Sequence, residues 1–366
     1  MRTCAENRNP VNVSMEFLII YRSRANPASM SKTRHHRHME DFRDLTYLRD
    51  DHGLIWLVKG DHHPQQGVRA YPVYWPDECG ERVHPHWGRY HKQVSDIDFT
   101  ALLHQRPELK IDELWPLPLL PRDQIVEAFS PADAVDDFAL TEPPGLWLSV
   151  YQSLLGIGLS AEDIGILGSQ LVGLDKREDG VRTKDVDFCV YGLEQTRLVR
   201  ERIVRLRQVL GAAPISEAHI AYHARKFGHD FDPEANDFRI GLQRKWCSIQ
   251  LRPQLLMTLR FVYRDDEIPP EPPASSDSSP VEIEGDVTDD TQTGFIPRRF
   301  NVDALDGEFE VLTHYWGLHC CVAAGDHVRI RGDQINDQQI LVRSPAHGIK
   351  IIDDYAAGNA DRYCDR

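Results

Sequence analysis

Short apolar runs separated by turn-forming residues follow one another through the first part of the chain. All positions of Leu54–Val58 are apolar, and Val68–Tyr74 is rich in β-branched and aromatic residues. Runs of this length, bounded by Gly, Pro and Asp, are typical of β-hairpins. We therefore predict a small β-rich N-terminal module over residues 41–95. Several prolines exclude a long helix in the next segment, and we predict a surface connector over 96–140.

The middle of the chain alternates between helical and strand patterns. Apolar residues three or four positions apart share one surface of a helix, and Leu193, Val199, Ile203, Leu206 and Leu210 follow this spacing. The predicted elements are, in order, a helix at 145–157, a strand at 163–168, a turn with a short helix, a strand at 186–191, a helix at 194–210, and strands at 245–251 and 255–263. Together they predict a mixed sheet with flanking helices over 141–264.

The two ends of the chain and the segment after the central region differ in composition from the rest. Residues 265–293 are acidic and rich in Pro and Ser, and such a segment buries too little apolar surface to offset the entropy of ordering it. We predict a flexible linker there, a compact C-terminal β domain over 294–355 and a tail over 356–366. The polar residues 1–40 are predicted to be disordered, or to precede the true translation start at Met30 or Met39.

Charge and cysteine content narrow the class of protein. The 57 acidic residues outnumber the 42 Lys and Arg residues, so the net charge of −15 argues against a protein that coats nucleic acid through its overall field. The arginines of 197–207 leave a local basic groove open, although a solvated helix face is favoured. Seven cysteines without a CxxC pair indicate neither a disulfide framework nor a zinc ribbon. No apolar run approaches the roughly 20 residues of a membrane helix. We predict a reduced, cytoplasmic protein with no membrane partner.

Two short motifs carry the chemistry. Gly168-Ser169 and Gly173 follow the first predicted strand of the central region, and Asp185-Val186-Asp187 opens the second. Side chains at positions i and i+2 of a strand point to the same face, so both carboxylates are expected to share a face. Carboxylate oxygens suit Mg²⁺, while a glycine and a helix N-terminus suit phosphate groups. The motifs therefore predict a metal-dependent site for a nucleoside triphosphate.

The run 165–174, Gly-Ile-Leu-Gly-Ser-Gln-Leu-Val-Gly-Leu, followed by Asp-Val-Asp-Phe-Cys-Val-Tyr-Gly at 185–192, resembles the polymerase-beta-type nucleotidyltransferase superfamily. More narrowly, the chain resembles uncharacterised nucleotidyltransferase-domain proteins of archaea. The resemblance implies an αβαβα-type core that transfers a nucleoside monophosphate from a triphosphate with Mg²⁺, or Mn²⁺ as an alternative. It implies that Asp185 and Asp187 are the catalytic metal ligands, and that Gly168, Ser169 and Gly173 contact the nucleotide phosphates. Lys184 departs from the pattern, because it stands where the superfamily usually has serine, and it is a further candidate for phosphate binding.

The chain departs from the superfamily pattern at the third carboxylate, which the family places on a later strand as the base. The matching position is Thr258, and no acid occurs between Asp237 and Asp265. A third ligand must come from Asp230, Asp232 or Asp237, or be missing. A catalytically weak or inactive nucleotide-binding protein is therefore the alternative to an enzyme.

The acceptor is left open among a nucleic-acid end, a protein and a small molecule. The predicted fold is α+β, with the nucleotidyltransferase core between the small N-terminal β module and the small C-terminal β domain.

Overall fold

The structure is a computed structural model that mixes α and β elements in several sheets with few helices. It describes residues 42–92, 99–135, 146–175, 186–213, 215–227, 242, 244–252, 255–273 and 278–353. All of them belong to the compact unit Asp41–Arg366. The predictions for residues 1–40 and 356–366 lie outside the described residues. None of the helices in the described ranges is long and apolar enough to cross a membrane.

The first sheet is built from the N-terminal hairpins and from part of the segment that follows them. Its elements are β1 (Tyr47–Asp50), β2 (Ile55–Val58), β3 (Val68–Pro76), β4 (Arg82–His84), β5 (Gly88–Lys92), α1 (Thr100–Gln105), β6 (Lys110–Ile111), β7 (Pro118–Leu120) and β8 (Ile125–Phe129). The strand order is β4-β5-β3-β2-β1-β8, with β7 paired to β3 and β6 to β7. β2 and β3 coincide with the predicted strands. β2 is apolar throughout because both of its faces are buried: Ile55 and Leu57 pack in one cluster, and Trp56 and Val58 in another.

The prediction of a surface connector over 96–140 was wrong in its described part. β8 pairs with β1 and β7 pairs with β3, so this segment completes the first sheet. Trp115 and Leu120 are buried in the core of that sheet. The described prolines of this segment do not prevent this, because they lie outside the strands or, as Pro118 does, at the first position of a strand, where a missing N–H is tolerated.

The central sheet has the predicted alternation of helices and strands, with one additional helix, Glu217–Phe227, that was not predicted. Its elements are α2 (Leu146–Gly156), β9 (Ile164–Ile166), β10 (Val186–Tyr191), α3 (Leu193–Glu201), α4 (Ile203–Val209), α5 (Glu217–Phe227), β11 (Ser248–Arg252) and β12 (Leu255–Val262). The order is β11-β12-β10-β9, in which β10 and β12 are parallel and the other pairs are antiparallel. Val186, Phe188 and Val190 pack against α2, α3 and α4, so the alternation of a strand places Asp187 and Cys189 on the opposite face.

The single helix predicted over 194–210 is divided at Arg202, which separates α3 from α4. The guanidinium of Arg202 donates to the backbone oxygen of Ile157, beyond the end of α2. Arg200 donates to Asp290 and Arg207 donates to the backbone oxygen of Trp246. Arg197, Arg202 and Arg205 are exposed, as predicted for a solvated helix face, whereas Arg200 and Arg207 are only partly exposed and bind the protein itself.

The third sheet forms a closed ring of strands. Its elements are β13 (Ser279–Gln292), β14 (Arg298–Ala304), β15 (Gly307–Thr313), β16 (His327–Asn336), β17 (Gln339–Val342) and β18 (Gly348–Asp353). β13 pairs with β14 along its second half and with β16 along its first half, which closes the order β13-β14-β15-β17-β16. β18 adds to β16. The interior holds buried aliphatic residues such as Val302, Val311 and Ile330.

The prediction of a flexible linker over 265–293 was wrong for 279–292, which is the strand β13. Its acidic residues alternate with inward-facing ones, and Ile283 and Val287 are buried in the ring. The outward acids pair across the strand with basic residues of β16 in the order Glu282–Arg331, Glu284–Arg329 and Asp286–His327. Opposite charges that face each other on neighbouring strands stabilise the pairing. The acidic residues of this segment therefore lie on the solvent-exposed face of a strand.

The three sheets share their cores. Leu312 and Leu341 of the ring pack with Trp56 of the first sheet. On the other face of the first sheet, Tyr47 packs in one cluster with Leu167 and Cys189 of the central sheet. The first sheet therefore covers the face of the central sheet on which Asp187 lies.

Candidate functional site

Asp187 and Gly168 meet where β9 leaves the central sheet. The N–H of Leu167 donates to the backbone oxygen of Asp187 at 3.0 Å, which continues the pairing of β9 and β10 to this point. Gly168 has a φ of +74°, and a Cβ at this position would lie 2.8 Å from Oδ2 of Asp187. Both the backbone conformation and the close approach of the carboxylate require glycine. The two motifs of the sequence are therefore in contact.

The residues after Gly168 form a single helical turn, whereas a short helix was predicted. The N–H of Leu174 donates to the backbone oxygen of Ser169 at 2.7 Å, and the N–H of Gly173 donates to that of Gln170 at 3.1 Å. These two bonds, with a φ of +67° at Gly173, form a Schellman motif, which ends a helix. Gly173 was assigned to nucleotide binding, but its role in the fold is to close this turn. A Cβ there would lie 2.9 Å from Cδ2 of His84.

The hairpin of β4 and β5 forms one side of this turn. The ring of His84 stacks on Trp87 at 3.7 Å between ring centroids, and the guanidinium carbon of Arg49 lies 4.8 Å from the centroid of Trp87. Nδ1 of His84 accepts from the backbone N–H groups of His86 and Trp87, so the edge of the ring with Nε2 faces Gly173. The hairpin places an imidazole beside the turn that was predicted to hold phosphate.

Thr258 occupies the position next to Asp187 on the parallel strand β12. Its side chain is buried, and it stands where the superfamily pattern places the third carboxylate. Arg260, two residues further along β12, also interacts electrostatically with Asp187. Burial works against the charge of Arg260, but Asp187 is the strongest of the groups that hold the pKa of Arg260 above its usual value. The structure thus places a hydroxyl and a guanidinium, but no acid, beside Asp187 on β12.

The structure brings together part of the predicted set. Gly168, Ser169 and Asp187 lie at one end of β9 and β10, and Asp187 is half-buried. Gly173 ends the turn that begins there. Lys184, Asp185 and the three candidates for a further acid, Asp230, Asp232 and Asp237, lie outside the described residues.

A second cluster of reactive side chains was missed by the sequence analysis. The ligand atoms of Cys247, His319 and Cys320 all lie within 4.8 Å of one another, and all three residues are buried. Cys247 immediately precedes β11, whereas the other two follow β15. The only signal in the sequence is the run His319-Cys320-Cys321, because a search for CxxC spacing cannot join cysteines from two distant segments.

A pocket lined by basic residues lies between the first sheet, residues 268–272 and the ring. Two of its cations are paired within the protein: Arg69 binds Asp112 and Glu271, and Arg299 binds Glu310. Because these two guanidinium groups already have carboxylate partners, they contribute little net positive charge for an anion.

Comparisons with known proteins do not place the chain in a family. No protein-family model, no curated protein and no solved structure matches it.

Proposed function

We propose that this protein is a Mg²⁺-dependent nucleotidyltransferase that moves a nucleoside monophosphate from a triphosphate to a hydroxyl acceptor. The observation that carries the proposal is the contact between Gly168 and the carboxylate of Asp187. A glycine with no room for a side chain, next to a carboxylate on the neighbouring strand, suits a site where phosphate groups and a metal ion approach the backbone closely. The helices α2, α3 and α4 pack on the opposite face of this sheet, and the first sheet lies on the face of Asp187.

The residues at this site fit a hard cation. Asp187 supplies carboxylate oxygens, and the sequence supplies Asp185 two residues earlier, which completes the Asp-x-Asp pair that would hold the ion. A bound Mg²⁺ neutralises the charge that develops on the departing pyrophosphate. Ser169 follows the left-handed Gly168, and its hydroxyl and backbone N–H would donate to a phosphate oxygen. Lys184 would add a positive charge to the same phosphates.

A second candidate function is nucleotide binding with weak or no transfer. Thr258 stands beside Asp187 where a carboxylate base is expected, and a threonine hydroxyl does not accept a proton at neutral pH. Loss of a general base costs roughly 10²–10⁴-fold in rate. Arg260 next to Asp187 also supplies a positive charge that competes with a metal ion. The acceptor stays open among a nucleic-acid end, a protein and a small molecule.

The first test compares nucleotide binding and label transfer in the full chain. Purified protein is incubated with each α-labelled triphosphate, Mg²⁺ or Mn²⁺, and a cell extract as the source of acceptors. Asp187→Asn is expected to reduce transfer by roughly 10²–10³-fold, the range for loss of a charge-stabilising group. The matched control is Asp266→Asn, which makes the same change at an exposed position. Equal transfer by both variants would show that Asp187 is not at the active site.

The second test distinguishes the two candidates. If the natural chain binds a triphosphate but does not transfer, Thr258→Asp restores a carboxylate at the position beside Asp187. A gain of transfer in this variant supports the second candidate, a nucleotide-binding protein that transfers weakly or not at all because it lacks the carboxylate base. If no triphosphate binds to the natural chain with either ion, both candidates are wrong.

The cellular location is part of the proposal. The described cysteines, Cys79, Cys189, Cys247, Cys320 and Cys321, are all free thiols. Free thiols are typical of reducing compartments, and we propose that the protein acts in the cytoplasm.

A further inference from the structure

The cluster of Cys247, His319 and Cys320 lies between the central sheet and the closed ring. Cys247 is joined to β12 by the hydrogen bond from the N–H of Leu259 to its backbone oxygen, at 2.9 Å. Cys320 is joined to the end of β13, because its N–H donates to the backbone oxygen of Thr293 at 3.3 Å. The three side chains therefore connect two parts of the fold that are distant in sequence.

The backbone at Cys320 has an unusual conformation. Its φ is +54°, one of two positive values among the non-glycine residues of the described ranges. A residue other than glycine rarely adopts a positive φ, and residues that do so cluster at functional sites. The thiol of Cys320 lies within 4.8 Å of the ligand atoms of Cys247 and His319, whereas the neighbouring thiol of Cys321 donates to the backbone oxygen of Leu318 at 3.1 Å.

The imidazole of His319 is oriented by its second nitrogen. Nε2 lies 3.4 Å from the backbone oxygen of Leu259, and the ring of Phe261 stacks on the imidazole at 6.1 Å between centroids. A metal-binding histidine commonly directs its other ring nitrogen to a backbone carbonyl, which sets the tautomer and the ring orientation. This arrangement leaves Nδ1 of His319 for the thiols.

We propose that Cys247, His319 and Cys320 bind a Zn²⁺ ion that holds the ring to the central sheet. Two thiolates and an imidazole are preferred zinc ligands. Bond lengths of about 2.3 Å to sulfur and 2.0 Å to nitrogen place tetrahedral ligand atoms roughly 3.5–3.8 Å apart. The separations within 4.8 Å in the structure allow this geometry after small movements. Thiolate and imidazole ligands disfavour Mg²⁺, so this ion is distinct from the one proposed at Asp187.

The burial of the cluster indicates a structural ion. Cys247, His319 and Cys320 are each at most 2% exposed, so no substrate reaches them. The described ligands number three, which leaves one tetrahedral position to a small ligand such as water. The ion would join β11 to the segment after β15 and stabilise the folded chain in proportion to its affinity.

The test measures metal in the full chain, purified without chelators and then exposed to zinc and gel-filtered. We expect one zinc per chain by elemental analysis, and a fall of at least tenfold in Cys247→Ser. The matched control is Cys321→Ser, which removes a buried thiol adjacent to the cluster and should keep the zinc. Chelation of the ion should lower the melting temperature of the natural chain but leave that of Cys247→Ser unchanged.

A measurement on the natural chain decides the question if Cys247→Ser does not fold. Replacement of zinc by Co²⁺ should give an absorption band from thiolate-to-cobalt charge transfer, with an intensity that corresponds to two thiolates. A folded natural chain without stoichiometric zinc, or zinc retained in the folded Cys247→Ser variant, overturns the proposal. So does a Cys247–Cys320 disulfide in peptides from the unreduced protein.

Discussion

Asp50 holds together the turn between β1 and β2. Its carboxylate accepts from the backbone N–H groups of His52 and Leu54, from Nε1 of Trp56, and from the guanidinium of Arg106, while the residue is fully buried. A buried carboxylate is stable only when its oxygens are satisfied in this way. The sequence alone shows Asp50 as one acid among many, because its partners Trp56 and Arg106 lie on other elements.

We expect Asp50→Ala to destabilise the chain by about 2–4 kcal/mol, because it leaves the indole N–H of Trp56 and the backbone N–H of Leu54 buried without an acceptor and removes one of the partners of Arg106. Urea unfolding measures the loss. Asp51→Ala is the control, since Asp51 is exposed and its removal should change stability by less than about 0.5 kcal/mol. Equal losses in the two variants would contradict the role of Asp50.

Asp44 is a buried acid whose charge is unfavourable in the folded state. Burial, with a smaller effect of Asp61, raises the pKa of Asp44 to about 7, although Lys59 and Arg298 act in the opposite direction. The unfolded chain has a pKa near 3.9 for this group. Between about pH 4 and pH 7 the folded state therefore retains a proton that the unfolded state has lost, and the stability contributed by Asp44 falls as the pH rises.

Asp44→Asn removes this titration and keeps the acceptor for the N–H of Gly60. We expect the free energy of unfolding of the variant, minus that of the natural chain, to rise between pH 4 and pH 7 by up to about 1.4 kcal/mol per pH unit. Above pH 7 this difference should stay constant. Urea unfolding of both proteins across this range gives the difference, in which titrating groups that do not interact with Asp44 cancel. A difference that does not change with pH would show that Asp44 is ionised in the folded state.

Among the elements, the turn after β9 combines a requirement of the fold with the proposed function. Gly168→Ala places an alanine on a left-handed backbone, which costs roughly 1–2 kcal/mol. It also adds a Cβ that displaces the carboxylate of Asp187. Gly211→Ala is the matched control, because Gly211 also has a positive φ but nothing within 4 Å of an added Cβ.

Both variants should lose similar stability from the backbone, and Gly168→Ala should lose more in thermal unfolding because of the contact. Triphosphate affinity should fall at least about tenfold in Gly168→Ala alone. An equal loss of affinity in Gly211→Ala would mean that the effect comes from general destabilisation. Unchanged affinity in Gly168→Ala would remove the main support for a phosphate site at this turn.

The elements also show what a sequence can predict. The strands β9, β10 and β12 were predicted because their apolar runs are short, and glycines end the runs of β9 and β10. The parallel register of β10 and β12 places Thr258 beside Asp187 as the motif spacing implies. β13 was missed because its composition is acidic, although the alternation of Ile283, Gly285 and Val287 with acids is that of a half-buried strand. Its partners on β16 follow later in the chain, and composition does not reveal them.

At the scale of the whole molecule, the modules predicted from the sequence are not separate units in the described part. The first sheet shares one core with the central sheet and another with the ring. Residues 41–366 accordingly form one compact unit. We expect a single unfolding transition, with coincident curves from far-UV circular dichroism and from tryptophan fluorescence. Two separated transitions would show that the shared cores do not couple the sheets.

The ion pair between Arg244 and Asp326 is one connection on which this coupling depends. Asp326 is fully buried, and its carboxylate accepts from Arg244 at 2.7 Å and from the N–H of Ala323. Arg244 belongs to the segment before β11, and Asp326 immediately precedes β16.

Because Asp326→Ala breaks an ion pair whose carboxylate is fully buried and removes the acceptor of the buried N–H of Ala323, it should cost about 3–5 kcal/mol. Asp303→Ala, which removes an exposed acid of the same ring, should cost less than about 0.5 kcal/mol. If the ring and the central sheet depend on each other, Asp326→Ala lowers the midpoints from both spectroscopic probes together. A shift in circular dichroism alone would mean that the ring unfolds independently of the tryptophan-rich sheets.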